Sequence, residues 1–165
     1  MLAKVIGLAG ALALLAACTS APEAGSGVAP AYSGAPVGGG ASSYGPGSQQ
    51  DLAATAGDRV FFAYDHSDVS SEAQQILTRQ AAWLRRYPNV TVTIEGHCDE
   101  RGTREYNLAL GERRAQAVKN VLVALGTPAS RISTISYGKE RPAVVGSSEE
   151  AYAQNRRAVT TVNGG

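Results

Sequence analysis

Val90-Thr91-Val92-Thr93-Ile94 alternates apolar and polar residues with period two, and within ten residues a helical pattern begins that runs from about Thr103 to Leu125. A strand delivered this directly into a long helix is the strongest constraint on the fold. Val90, Val92 and Ile94 need one core face, and Val118, Val121, Leu122 and Leu125 need to meet it. Gly126 supplies the helix stop. Upstream, Val60-Phe61-Phe62-Ala63-Tyr64 reads as a first strand. Ser70 or Ser71 caps a helix with Glu72 in its first turn and Ile76, Leu77, Ala81, Trp83 and Leu84 on its apolar side. That helix ends before Pro88, because the residue preceding a proline disfavours helical angles. Downstream, Ile132, Thr134 and Ser136 alternate with Ile135 and Tyr137 in a third strand. A short helix near Ser148–Ala153 and a last strand, Ala158–Val162, complete the chain. The order β-α-β-α-β-(α)-β predicts an α+β two-layer sandwich, with helices packed on a mixed four-stranded sheet. Residues 58–165, about 108 in number, are enough for one such domain.

The chain ahead of that domain cannot fold in the same way. From Thr19 to about Gln50 it is Ala, Gly, Ser and Pro, with Glu23 as its only charge and Val28, Tyr32, Val37 and Tyr44 isolated from one another. Such a segment buries too little to offset its ordering entropy, so residues 18–57 are expected to form a flexible tether. A Gly-rich coil of this length reaches roughly 30–35 Å on average. The first 17 residues are Lys4 followed by an almost purely apolar run, too short for a mature transmembrane helix and laid out as a secretory leader. Leu15-Ala16-Ala17-Cys18 resembles the bacterial lipobox, which implies a leader over 1–17 and a diacylated Cys18. Acyl chains contribute about 0.8 kcal/mol per buried CH₂, so two or three of them hold a protein firmly at a membrane. Thr19, in place of the Asp that favours inner-membrane retention, points to the outer membrane with the domain in the periplasm. The chain has two cysteines, so lipidation of Cys18 leaves Cys98 without a disulfide partner. A net charge of +1 lacks the basic excess that nucleic-acid binding requires.

Between Asp99 and Arg114, eight of sixteen positions are charged, four acidic and four basic. Asp99 lies just beyond the second strand, in the turn that feeds the long helix. Asn107, Leu110 and Arg114, at i, i+3 and i+7, share one face of that helix, and Tyr106 flanks it. A loop carboxylate near a helix guanidinium can hold a zwitterion, with Asp99 taking an ammonium and Arg114 a carboxylate. Asn107 has donors and acceptors to orient the loop or the ligand. A plainer reading stays open from spacing alone: Asp99 caps the helix, and Arg101–Glu105 and Glu100–Arg104 pair at the surface, where ion pairs contribute little.

The stretch from Gly96 to Ala115, Gly-His-Cys-Asp-Glu-Arg-Gly-Thr-Arg-Glu-Tyr-Asn-Leu-Ala-Leu-Gly-Glu-Arg-Arg-Ala, resembles the signature of OmpA-like peptidoglycan-binding domains. Phe62-Ala63-Tyr64-Asp65, Ile135–Pro142 and Asn155–Val159 extend the likeness across residues 58–163. Together with the lipobox and tether, the pattern is similar to the lipoproteins of the Tol-Pal system. The resemblance implies that Asp99 and Arg114 grip the diaminopimelate of the peptidoglycan stem, that Asn107 and Leu110 support the pocket, and that Phe62 and Asp65 contribute to its rim. It further implies TolB and other Tol-Pal components as partners, outer-membrane lipid as the anchor through Cys18, and a role in envelope integrity and cell division. Cys98 departs from the pattern, standing where Ala or Thr is common.

Catalytic readings fare poorly. His97, Cys98, Asp99 and Glu100 are adjacent in sequence, a spacing that does not converge on a metal, and no second Cys or His pair accompanies them. Neighbouring Cys and His rarely meet as nucleophile and base. The expectation is therefore a binding protein with no enzyme activity, no cofactor, no metal and no nucleic-acid partner. A module that docks mainly on proteins is the competing reading. Trp83 is expected in the core and His66 in an exposed turn. Arg156 and Arg157 alternate across the last strand, so at most one faces the helices.

Overall fold

The computed structural model describes residues 44–164; the expected leader over 1–17, Cys18 and most of the expected tether lie outside the described residues. Four strands, β1 (Arg59–Phe61), β2 (Val92–His97), β3 (Ile132–Gly138) and β4 (Arg157–Val162), form one sheet in the order β1-β4-β2-β3. β4 runs antiparallel to both its neighbours, and β2 and β3 are parallel, so the sheet is mixed. Helices α1 (Gln49–Thr55), α2 (Ser71–Arg86), α3 (Arg104–Ala124) and α4 (Glu149–Asn155) complete the fold, with a single 3₁₀ turn at Ala129–Arg131. This is the α+β sandwich expected from the pattern of the sequence.

Each α-helix opens on a hydroxyl. Ser48, Ser70, Thr103 and Ser148 accept from the backbone N–H three residues on, which satisfies one of the donors a helix start leaves unpaired. Val92 and Ile94 from β2 are fully buried against Val118 and Leu122 of α3, and Leu77, Ala81 and Leu84 of α2 close the same core. Trp83 belongs to that core and donates its indole N–H to Asp51 at 3.0 Å.

Three boundaries differ from expectation. The domain does not begin at residue 58: α1 occupies what reads in sequence as tether, Leu52 is wholly buried, and Asp51 anchors Trp83. The first strand is shorter than Val60–Tyr64, because Phe62 already turns away to pack under the site while Ala63 and Tyr64 are exposed. The second strand starts later than Val90 and continues to His97. It can do so because Gly96 lets it pass against Gly111 of α3. A β-carbon at Gly96 would lie 1.8 Å from the Gly111 carbonyl oxygen, so only glycine fits this crossing. That contact sets the depth at which α3 lies on the sheet, and so places Asn107, Leu110 and Arg114 beside the end of β2.

Candidate functional site

The end of β2, the start of α3 and the loop after β1 enclose a cavity of about 20 Å³. Tyr64, Asp65, Cys98, Asp99, Arg101, Tyr106, Asn107, Leu110 and Arg114 line it. Five of the six residues predicted for binding therefore meet in one place. Phe62 does not reach the cavity; its ring lies 5.1 Å from the Arg114 guanidinium carbon and supports that group from the core.

Arg114 is the largest fully buried side chain among the described residues. Its Nε donates to the His66 carbonyl at 2.8 Å, Nη1 to the His97 carbonyl at 2.8 Å, and Nη2 to the Ala63 carbonyl at 3.1 Å. A guanidinium has five N–H donors, so two are not used by these carbonyls. Burial lowers its pKa and the neighbouring Arg156 cation adds to that, while the carboxylates of Asp99 and Asp65 favour the charged form. A buried cation with spare donors is suited to a planar anion such as a carboxylate.

Asp99 is also buried and is already engaged. Arg101 meets it with its backbone N–H at 3.1 Å, Nε at 3.2 Å and Nη2 at 2.6 Å, and Arg156 Nη1 approaches at 3.4 Å. Burial alone would raise the carboxyl pKa; the hydrogen bonds and charge of Arg101, with Arg156 behind it, outweigh that and lower it. Asp99 is thus held as a carboxylate. The Arg101 guanidinium also lies between two rings, 4.0 Å from the centre of Tyr64 and 4.3 Å from that of Tyr152, with Glu149 at 3.5 Å. Arg101 therefore already supplies the cation that the Asp99 carboxylate holds. Because the cavity holds little more than one water, a second cation could reach Asp99 only by displacing the Arg101 side chain.

The surrounding loop is tied down by the remaining residues. Asn107 donates to the carbonyls of Arg101 at 2.7 Å and Thr103 at 3.0 Å, fastening the loop to the first turn of α3. Tyr106 donates to Asp65, a residue held in the left-handed region at φ 60°. Cys98 Sγ donates to the Asn107 carbonyl at 3.3 Å, and burial raises its thiol pKa, which leaves it a packing residue.

The helix-surface pairs read from sequence are replaced by others: Arg101 pairs with its near neighbour Asp99 and with Glu149 of α4, and Arg104 with Glu140 at 3.3 Å. Asp99 is not the cap of α3, a role Thr103 fills. Arg156 and Arg157 are both buried, and Arg156 is the one at the site, bonded to Phe62 O, Asp99 and Glu149. Arg101, Tyr152, Glu149 and Arg156 were not among the predicted site residues. The last three lie about fifty residues downstream of Asp99, where no local pattern joins them to it.

Residues 61–156 match the family described as the OmpA family. A protein of Agrobacterium fabrum named peptidoglycan-associated lipoprotein is 58% identical over 126 residues, covering 76% of this chain and 71% of its own. A protein of that name from Haemophilus influenzae is 44% identical over 158 residues, covering 94% of this chain and 95% of its own. Among solved structures, the peptidoglycan-associated lipoprotein of Burkholderia pseudomallei aligns with a TM-score of 0.63 at 40% identity, over 64% of this chain and 90% of that one.

Proposed function

We propose, from the premise that this chain belongs to the OmpA family, that it is an outer-membrane lipoprotein that binds peptidoglycan without chemically altering it. The observation that carries this reading is the convergence of a buried carboxylate, Asp99, and a buried guanidinium with spare donors, Arg114, on one small cavity. That pair suits a ligand end bearing an ammonium and a carboxylate side by side, which is the free end of diaminopimelate in a peptidoglycan stem. The names of its relatives support peptidoglycan as the polymer, without specifying the stem group. In this proposal Asp99 takes the ammonium after Arg101 swings away, Arg114 takes the carboxylate on its two remaining donors, and Leu110 covers the aliphatic part. Asn107 and Asp65 hold the loops that frame them. Acylated Cys18 supplies the membrane end and residues 19–43 the tether. Because peptidoglycan is one covalent network, modest affinity per site becomes firm attachment when many anchored copies engage it. Within the envelope, the proposed setting is the Tol-Pal system, with TolB as a protein partner and a part in envelope integrity and cell division.

Co-sedimentation with purified diaminopimelate-type peptidoglycan tests the site, using the Cys18→Ser chain after leader removal. The unsubstituted site is expected to pellet with the wall, and Asp99→Asn to remain in the supernatant. Equal pelleting of the two would refute Asp99 as the ammonium acceptor.

A further inference from the structure

The described domain gathers exposed arginines without carboxylate partners at one end, the end at which residues 44–48 enter it. β2 runs from Val92 toward the site at Asp99, a rise of about 20 Å for a strand of this length. The C-terminal end of α2 precedes Val92 and so lies at the far end of that strand. α3 starts at the site and runs back, so that the Leu125 carbonyl accepts from Arg85 at 3.0 Å. Residues 79–91 and 119–131 therefore meet at the end opposite the cavity. Between them they contain Arg79, Arg85, Arg86, Lys119 and Arg131 and not one Asp or Glu, and the Asp51 carboxylate of α1, which also reaches this end, is buried and accepts from Trp83 and Gly47.

None of these five cations forms an ion pair with a carboxylate of the described residues, whereas Arg101, Arg104 and Arg156 at the other end all do. Arg131 is spent internally, its guanidinium donating to the carbonyls of Leu84, Tyr87 and Val90. Arg79, Arg85 and Arg86 are exposed. Arg79 and Arg86, seven residues apart on one helix face, flank a groove of about 320 Å³ floored by Trp83, with Thr55 and Ala56 of the α1 end as its other wall. The chain enters the domain beside them: Gly47 bonds to Asp51, and a β-carbon at Gly47 would lie 3.4 Å from the Tyr87 ring.

We infer that this end is a docking face for the membrane that carries the anchor, with Arg79, Arg85 and Arg86 meeting the phosphates of anionic lipid headgroups. The inference rests on the proposed lipidation of Cys18. With residues 19–43 as the proposed tether, a coil of roughly 25–30 Å mean reach, the domain would stay within a local concentration on the order of millimolar, at which even a weak surface affinity is effective. A basic residue close to an anionic leaflet shifts the equilibrium by about fivefold, so three of them shift it by about a hundredfold. The geometry also fits the proposed site: with α2's end on the membrane, the Asp99–Arg114 cavity faces away from it.

The single tryptophan of the chain, Trp83, is buried but forms the floor of the groove, so its emission reports on lipid seated between Arg79 and Arg86. The acylated protein is reconstituted in vesicles of brominated lipid, either phosphatidylcholine alone or phosphatidylcholine with phosphatidylglycerol. Flotation with neutral vesicles reads the anchor by itself. Trp83 emission is expected to be quenched in the anionic vesicles only, and to recover near 1 M salt, where the Debye length falls to about 3 Å. Quenching should be lost when Arg79, Arg85 and Arg86 are all replaced by Gln. It should persist when all three are replaced by Lys, which keeps the charge and gives up the same guanidinium hydrogen bonds. Failure to float overturns the anchor. Flotation with no quenching in anionic vesicles, or with equal quenching in both kinds, overturns the docking face while leaving the anchor intact. Loss of quenching in the Lys variant assigns the effect to folding and overturns it as well.

Discussion

Replacing Arg114 by Met separates its two roles, because Met fills much of the same space with no donor. Three carbonyls would lose a charged partner: His66, His97 and Ala63. Hydrogen bonds to charged groups contribute about 1.5–3 kcal/mol each, so simple addition gives roughly 5–9 kcal/mol. That sum is an upper bound. His66 and Ala63 lie in an exposed loop, where water can take over their carbonyls, while the carbonyl of buried His97 has no such recourse. One fully stranded acceptor, two rehydrated ones and imperfect packing against Phe62 bring the expected loss to about 2–4 kcal/mol. With a urea slope of about 1–3 kcal/mol/M for a small domain, the midpoint should drop by roughly 1–2 M with no change in slope. Without urea the variant remains folded, and wall binding measured there should fall at least tenfold, since a ligand carboxylate is left without its cation. Arg114→Lys should recover only part of either property, because one ammonium cannot reach three diverging carbonyls and a ligand together. An unchanged urea midpoint in Arg114→Met would refute the structural half of this argument. Unchanged binding would refute the ligand half.

Two further outcomes follow from the packing. Leu52→Ala should cost about 2–5 kcal/mol in urea or thermal unfolding, the usual range for a fully buried leucine; an unaffected transition would return residues 49–55 to the tether. His97 is buried, and burial first, then the cations of Arg157 and Arg141, lowers its pKa to about 4. The unfolded chain therefore binds a proton at about pH 6.5 that the folded chain refuses until about pH 4. Stability should fall as the solution is acidified across that window, and His97→Phe should flatten the curve there. The loss from Asp99, whose folded pKa is lowered, belongs to more acid solution, so a wild-type curve that is flat through the His97 window would contradict the burial of that ring.

Much of the fold was legible because its elements carry their own signals. Ser70 announces a helix start, the residue before Pro88 ends α2, and Val92 and Ile94 alternate toward the core. The exceptions share a cause. Helix α1 contributes one buried aliphatic residue, Leu52, and its seven residues are too few to display a period. Its local cue was the Ser48-Gln-Gln-Asp51 capping pattern, set in a low-complexity surrounding that masks it. The extension of β2 through Glu95 and Gly96 was hidden because its justification is a contact with Gly111, fifteen residues away, and close approach between two backbones leaves no local period to read.

The site divides along the same line, and the division bears on how it works. Asp99, Asn107, Leu110 and Arg114 were legible because a strand end and one helix face place them by geometry alone. What sequence spacing could not convey is that the Asp99 carboxylate is occupied. Its guanidinium partner comes from two residues away, yet it is held there by Tyr64 from the loop after β1 and by Tyr152 and Glu149 from α4. An isolated Asp–Arg pair at the surface would contribute little. Here the carboxylate is buried and the arginine lies close to two rings, so in the proposed binding mode a ligand ammonium has to outcompete a preorganised partner. A ligand that also bonds Arg114 is offered a second contact that a single amine lacks, and the proposed pocket would then discriminate between them at a cost to affinity.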